Sequence, residues 1–182
     1  TDMIPGTEPA IMALPVERLG RDVQLAIGIC FEVAFDDVLR EGVALGGEIL
    51  IVPTNNANFG RTAESTQQLA MTRLRAIEHG RSAVQISTVG VSGLVAPNGV
   101  LMSSTDLFTQ DHLTATLPLR TTLTLATKLG SWPALFTVAL ALVVVISGAA
   151  GAAKQPSAAA KRTGSAAGNG RPAAATRQKK GK

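Results

Sequence analysis

Cys30 is the residue of this chain best suited to covalent chemistry. It is the only cysteine among 182 residues, and it stands where the apolar run 25–29 gives way to a helical pattern. Glu32 follows two residues later, between hydrophobic neighbours. A thiol at a strand-to-helix turn lies close to backbone N–H groups and a helix N-terminus, and both favour the thiolate. Two interpretations are open at this point: a nucleophile, or a cysteine that only packs.

The segments around Cys30 predict a βαβ unit. Residues 23–30 form one apolar run and 48–54 another, and the intervening stretch 32–45 has apolar residues at helical spacing. Loops that leave the carboxyl ends of parallel strands meet at one edge of the sheet. The polar loop 54–61 is therefore expected to approach Cys30. The alternative for this loop is an ordinary Asn/Gly turn.

The pattern 65–79 predicts a helix, because Ser65 and Gln68 have capping-box spacing and apolar residues recur every three or four positions. The residues expected to face the core are Leu69, Ala70, Leu74 and Ile77. His79, in the last turn, is either a catalytic base or a residue that complements the helix dipole.

Residues 1–20 are expected to be irregular, since three prolines interrupt them. Further strands are expected at 82–88, 91–96, 100–103 and 112–119, with a hairpin turn at Asn98-Gly99. The fold class is therefore α/β or α+β, a sandwich with a largely buried sheet, over residues 1–130.

Charge and hydropathy divide the rest of the chain. Residues 132–153 carry no charge over 22 positions, which predicts a transmembrane helix within 131–153. Residues 154–182 hold eight Lys/Arg and no acids, whereas residues 1–153 hold nine bases and all 13 acids. The basic tail is expected to be disordered and cytoplasmic, with residues 1–130 outside. It has no aromatic residues, so nucleic-acid binding is not expected.

Five stretches, in order, resemble motifs of one family. They are Gly28–Phe35 (GICFEVAF), Val52–Gly60 (VPTNNANFG), Gln68–Arg81 (QLAMTRLRAIEHGR), Thr88–Ser92 (TVGVS) and Gly130–Pro133 (GSWP). Each is similar to a motif of the apolipoprotein N-acyltransferases, which are membrane-bound members of the nitrilase, or carbon–nitrogen hydrolase, superfamily. The resemblance implies part of a nitrilase-like α-β-β-α sandwich, followed by one membrane helix.

The resemblance also implies a reaction and its participants. Enzymes of this family move an acyl chain from a phospholipid to the N-terminal diacylglyceryl-cysteine of an apolipoprotein, through a cysteine thioester and without metal or cofactor. Cys30 matches the nucleophile, and Glu32 matches an acid that helps to position it. Residues matching the substrate-binding loop and turn are Phe31, Asn55, Asn58 and Phe59. Phe31 stands where the family usually has tyrosine, and Asn58 where it often has tryptophan.

The family's catalytic glutamate and lysine precede the cysteine, but the first lysine of this chain is Lys128. The chain is therefore expected to be a C-terminal fragment of an actinobacterial-type enzyme, inactive alone, with apolar sheet surface exposed. Two alternatives are a nitrilase-like amidase and a non-catalytic membrane scaffold for a polyprenol-phosphate mannose synthase, a partner fused to some actinobacterial relatives.

Overall fold

Six strands form one sheet in the computed structural model, which describes residues 8–153, with side chains up to residue 148. The strands are β1 Ile11–Val16, β2 Arg21–Ile27, β3 Ile49–Thr54, β4 Ser82–Ser87, β5 Gly93–Val95 and β6 Leu101–Ser104. The helices are α1 Asp36–Ala44, α2 Glu64–His79, α3 Leu125–Leu129 and α4 Trp132–Ala153. Short 3-10 turns occupy Glu17–Leu19, Cys30–Ala34 and Ala57–Phe59.

The strands lie in the order β1-β2-β3-β4-β5-β6. The three central strands β2, β3 and β4 are parallel, and α1 and α2 connect them. The outer pairs are antiparallel. The predicted βαβ unit is therefore present, and the loops after β2, β3 and β4 leave the same edge of the sheet.

The expectation of an irregular lead-in was wrong for residues 11–16. This segment is the edge strand β1, paired antiparallel with β2 from Ile11↔Ala26 to Val16↔Arg21. Pro15 lies within β1, and a proline is tolerated there because an edge strand has one side free of ladder hydrogen bonds. Gly20 closes the connection to β2 with φ 61, a left-handed value that suits glycine.

The predicted strand at 112–119 was also wrong. Residues 105–124 have no strand or helix, and part of this segment lies along one face of the sheet. Leu117 and Leu119 pack against a cluster of buried residues on β2 and β3, and Ser82 Oγ donates to the carbonyl of Pro118 at 2.8 Å. The alternating apolar residues therefore cover sheet surface instead of pairing with a sheet edge.

The helices α1 and α2 pack on the opposite face. Their buried residues, including Leu39, Val43, Leu69 and Ala76, join residues of β2 to β5 in the main core. The face that carries Leu117 and Leu119 is less covered, since Met12, Leu14 and Ile86 are 45–52% exposed. Apolar sheet surface is therefore exposed, as expected from the sequence.

The predicted apolar stripe of α2 was largely wrong. Leu74 and Ile77 are more than half exposed, and of the four predicted core residues only Leu69 is buried. The buried side of α2 is mostly polar: Ser65, Gln68, Leu69, Thr72, Arg75, Ala76 and His79. Each of these polar side chains donates or accepts a hydrogen bond, which makes its burial possible.

Residue 135 divides the chain into two units, and the sheet lies in the first. Residues 132–153 form the helix α4, so a helix is present where the sequence predicts one. Within the part of the chain whose structure is described, no helix meets the length and apolarity needed to cross a membrane. The transmembrane prediction therefore stays a prediction, and the predicted disordered tail 154–182 lies outside the described residues.

Candidate active site

Cys30 lies directly beyond the carboxyl end of β2, as the first residue of the 3-10 turn Cys30–Ala34. Its φ is 54°, and it is one of two non-glycine residues with positive φ in the described part of the chain. A side chain in the left-handed region is held there by its surroundings, and a sharp turn after a strand presents a nucleophile at the sheet edge. The backbone at Cys30 is therefore specialised for presenting the thiol.

The side chain of Glu32 supports this turn through a hydrogen bond to the backbone. Its carboxylate accepts a hydrogen bond from the N–H of Ile29 at 2.7 Å, so the acid closes the turn over the residue before Cys30. Glu32 is exposed. This geometry suits an acid that positions the nucleophile, which is the role predicted for Glu32.

Hydrogen-bond donors surround the thiol. Thr54 Oγ1 lies 3.3 Å from Cys30 Sγ, and Gln68 Nε2 lies 3.9 Å from it. The hydrogen bond from Thr54 is the main cause that lowers the pKa of Cys30, with smaller contributions from the backbone N–H groups of Asn55 and Phe31 and from Gln68. Partial burial opposes this effect. The site favours the thiolate, which is the nucleophilic form.

The two nearest side chains, Thr54 and Gln68, were not predicted as site residues. Gln68 was interpreted as part of a capping box with Ser65. However, α2 begins at Glu64, so Ser65 lies inside the helix, where its hydroxyl accepts from the N–H of Val91 at 2.9 Å. Gln68 lies four residues before Thr72 on one helix face, but both side chains are polar, so hydropathy gave no signal that this face is buried.

In the TVGVS segment, Gly90 allows a close approach of the chain to polar side chains of the site's surroundings. A Cβ at this position would lie 2.4 Å from Ser65 Oγ, and 2.6 Å from both Asn56 Oδ1 and Ser87 Oγ. These distances are shorter than any normal contact, so only glycine fits without moving its neighbours. The TVGVS segment therefore packs directly against the site.

Beside the site lies a cavity of about 430 Å³, lined by Phe31, Phe59, Glu64, Gln67, Gln68 and Met71. Two of the four predicted substrate contacts, Phe31 and Phe59, line it. The backbone N–H of Asn55 contributes to lowering the pKa of Cys30, and the side chain of Asn55 accepts hydrogen bonds from Ala57 N and Thr88 Oγ1. Asn58 is exposed and does not line the cavity. The structure thus brings together Cys30, Phe31 and Phe59, but not Asn58.

Arg75 holds the turn after Cys30 against α2. Its guanidinium donates to the carbonyls of Val33 at 3.0 Å and Ala34 at 2.9 Å. It also pairs with Asp36 and Glu78. The side chain is only 11% exposed. Arg75 therefore fixes both backbone carbonyls and carboxylates at the end of the turn Cys30–Ala34.

His79 lies at the far end of α2, eleven residues beyond Gln68, which is roughly 16 Å along a helix. It is fully buried, and its Nδ1 lies 3.0 Å from Thr127 Oγ1. Burial is the largest cause that lowers the pKa of His79 to about 4. The imidazole is neutral at pH 7, so it carries no charge to complement the helix dipole, and it is far from the thiol.

One group of potential metal ligands occurs in the described residues: Asp36, Glu78 and His79, whose donor atoms lie within 4.8 Å of one another. Arg75 already pairs with both of these carboxylates. A guanidinium in that position supplies the positive charge that a cation would otherwise bring. The close approach of Asp36 and Glu78 is therefore explained by the ion pairs that both carboxylates form with Arg75.

Residues 4–126 match the carbon-nitrogen hydrolase family. The chain belongs to this family. It is 42% identical over 127 residues to the apolipoprotein N-acyltransferase of Mycolicibacterium smegmatis, which covers 70% of this chain and 20% of the relative. The apolipoprotein N-acyltransferase of Shewanella oneidensis is 36% identical over 121 residues, or 66% of this chain and 23% of the relative. The resemblance stated from the five motifs is confirmed.

The chain thus spans about a fifth of the length of these curated carbon-nitrogen hydrolase relatives. Among solved structures it is similar to Nit3 of Saccharomyces cerevisiae, a member of branch 10 of the nitrilase superfamily. That similarity has a TM-score of 0.49 and 16% sequence identity, and covers 59% of this chain and 40% of Nit3.

Proposed function

We propose that this chain is the nucleophile-bearing part of an apolipoprotein N-acyltransferase. The observation that carries the proposal is Cys30, held at φ 54 beyond β2 with hydrogen-bond donors on its sulfur, in a sequence whose relatives are apolipoprotein N-acyltransferases. The relatives' names support acyl transfer in lipoprotein maturation, and they do not favour a soluble amidase or a non-catalytic scaffold.

In the proposed first step the thiolate of Cys30 attacks the ester carbonyl of a phospholipid. A C–S bond forms, the C–O bond of the ester breaks, and the lysophospholipid leaves as an alcohol after its oxygen takes a proton from water. The backbone N–H groups of Asn55 and Phe31 contribute to the lowered pKa of Cys30 and so favour its thiolate. The cavity beside Phe31, Phe59 and Met71 has an apolar lining that suits an acyl chain.

In the second step the free α-amine of a diacylglyceryl-apolipoprotein attacks the thioester. An N–C bond forms, the C–S bond breaks, the amine nitrogen loses one proton to water, and the thiolate of Cys30 is regenerated. Glu32 keeps the turn closed during both steps by its bond to the N–H of Ile29. The family's base and lysine are not matched in this chain, so the expectation that it is inactive alone stays a prediction.

The test is to trap the acyl-enzyme. Membranes from cells that make the protein are incubated with a phospholipid carrying a labelled acyl chain, and the protein is isolated and digested. We expect the label on the peptide that contains Cys30, released by neutral hydroxylamine as a thioester is. Because Cys30 is the only cysteine among these 182 residues, label on a cysteine of this part of the protein is assigned to it. Label on another residue, or none at all under turnover conditions, contradicts the proposal.

We further propose a cell-membrane location, with residues 1–130 outside and the tail 154–182 in the cytoplasm. Two observations support it: α4 carries no charged residue, and eight Lys/Arg follow it without an acid. Protease added to intact cells should leave the basic tail uncut, and should cut it once the membrane is permeabilised. Trimming of the tail in intact cells would show the reverse orientation. The relatives described above do not support a polyprenol-phosphate mannose synthase as partner, and the proposal does not include one.

A further inference from the structure

Gln68 projects from α2 into the site with an amide whose orientation is determined by its neighbours. It is 2% exposed, and its oxygen Oε1 lies 3.0 Å from Thr54 Oγ1 and 2.7 Å from Asn56 Nδ2. An amide oxygen is an acceptor only, and an amide nitrogen is a donor only. Two donors on Oε1 leave the NH₂ group on the other side, where it lies 3.9 Å from Cys30 Sγ.

A series of hydrogen bonds leads from Gly90 to Gln68. A backbone N–H is always a donor, and that of Gly90 donates to Ser87 Oγ at 2.8 Å. The Ser87 hydroxyl donates to Asn56 Oδ1 at 2.6 Å, and the Asn56 NH₂ group donates to Gln68 Oε1 at 2.7 Å. The series from Gly90 through Ser87 and Asn56 to Gln68 is called here the amide relay.

We propose that Gln68 is a positioning residue for the nucleophile, and that the amide relay holds its NH₂ group toward the sulfur of Cys30. This inference rests on the assignment of Cys30 as the nucleophile. The relay acts in both states of the thiol. Thr54 has a single hydroxyl proton, and when it donates that proton to the thiolate, Gln68 Oε1 keeps its bond from Asn56.

The charged groups on the elements around the thiol are few. Glu32 lies in its own turn, Asp36 at the start of α1, and Glu64 and Arg75 on α2. Glu32 is bonded to Ile29 N, and Arg75 to the carbonyls of the turn. In the described residues none of the four donates to the sulfur, whose side-chain partners are Thr54 and Gln68. The amide dipole of Gln68 is therefore one of two side-chain contributions to the thiolate.

The test measures the rate at which Cys30 reacts with iodoacetamide as a function of pH. The protein used is the 182-residue chain, in which Cys30 is the only thiol. Gln68→Glu keeps an acceptor for Thr54 and Asn56 but replaces the NH₂ with an oxygen that repels the thiolate. We expect the midpoint of the alkylation profile to move to higher pH, and the rate at pH 7 to fall about tenfold. A role in packing alone would lower the melting temperature and leave the profile in place.

The matched control is Gln67→Glu. Gln67 is the exposed neighbour of Gln68 on α2 and lines the same cavity, so it adds the same charge without removing a donor to the sulfur. We expect less than a twofold change for this variant. Equal effects of the two substitutions would show a general charge effect and overturn the proposal, as would an unshifted profile for Gln68→Glu.

Ser87→Ala tests the amide relay without touching Gln68 or the thiol. It removes the donor that orients Asn56, so the Asn56 and Gln68 amides become free to turn over. We expect a shift in the same direction, with alkylation slowed about threefold at pH 7. If Ser87→Ala has no effect while Gln68→Glu does, the relay is wrong. A labelled thioester on Cys30 together with unshifted profiles would refute the role of Gln68 and leave the proposed function intact.

Discussion

Replacing Cys30 with serine is expected to abolish acyl transfer by the protein in membranes of the cells that make it. The alcohol has nearly the shape of the thiol, but at neutral pH it is almost entirely protonated, and Thr54 and Gln68 do not provide a base to change that. We expect the rate of N-acylation to fall by more than about a thousandfold. The measurement is conversion of a diacylated apolipoprotein to the triacylated form, followed by mass spectrometry.

The control for this loss is Glu41→Gln. Glu41 lies on α1 and is exposed, so the substitution leaves the turn at Cys30 and the cavity unchanged. We expect this variant to retain activity within a few-fold of the parent. Full activity in the Cys30→Ser protein would refute the assignment of the nucleophile, whatever the behaviour of Glu41→Gln.

Replacing Arg75 with leucine is expected to produce the largest loss of stability among the site residues. The change leaves the carbonyls of Val33 and Ala34 without their donor, and leaves Asp36 and Glu78 without their shared cation. Leucine fills part of the volume but satisfies none of these groups. The expected loss in the free energy of unfolding is about 3 kcal/mol, measured by urea denaturation.

Arg73→Leu is the matched control, because Arg73 lies two residues earlier on the same helix and is exposed. It donates to a single acceptor, the carbonyl of Gly99 at 2.9 Å. We expect a loss of about 1 kcal/mol or less. Equal losses for the two arginines would show that the bonds of Arg75 to the turn Cys30–Ala34 contribute no more to stability than an ordinary surface contact.

The sequence was sufficient for the parts of the fold that rest on local pattern. Apolar runs and the intervening helical period predicted β2, α1, β3, α2 and β4 in order, and hence the parallel centre of the sheet. The pattern failed where partners are distant in the chain. The alternation of apolar residues at 112–119 is the same whether the segment pairs at the edge of a sheet or lies across the face of a sheet. The strand β1 was missed because it contains Pro15, which usually argues against a strand.

For the site, the sequence by itself determined the family and the identity of Cys30 as its nucleophile candidate, because a cysteine after a strand and the ordered motifs are local features. Only the tertiary structure decided which side chains reach the sulfur. Thr54 and Gln68 are 24 and 38 residues from Cys30, on different elements. Hydropathy counts such polar residues as surface, whereas hydrogen bonds across the sheet edge make their burial favourable, and those bonds exist only in the folded chain.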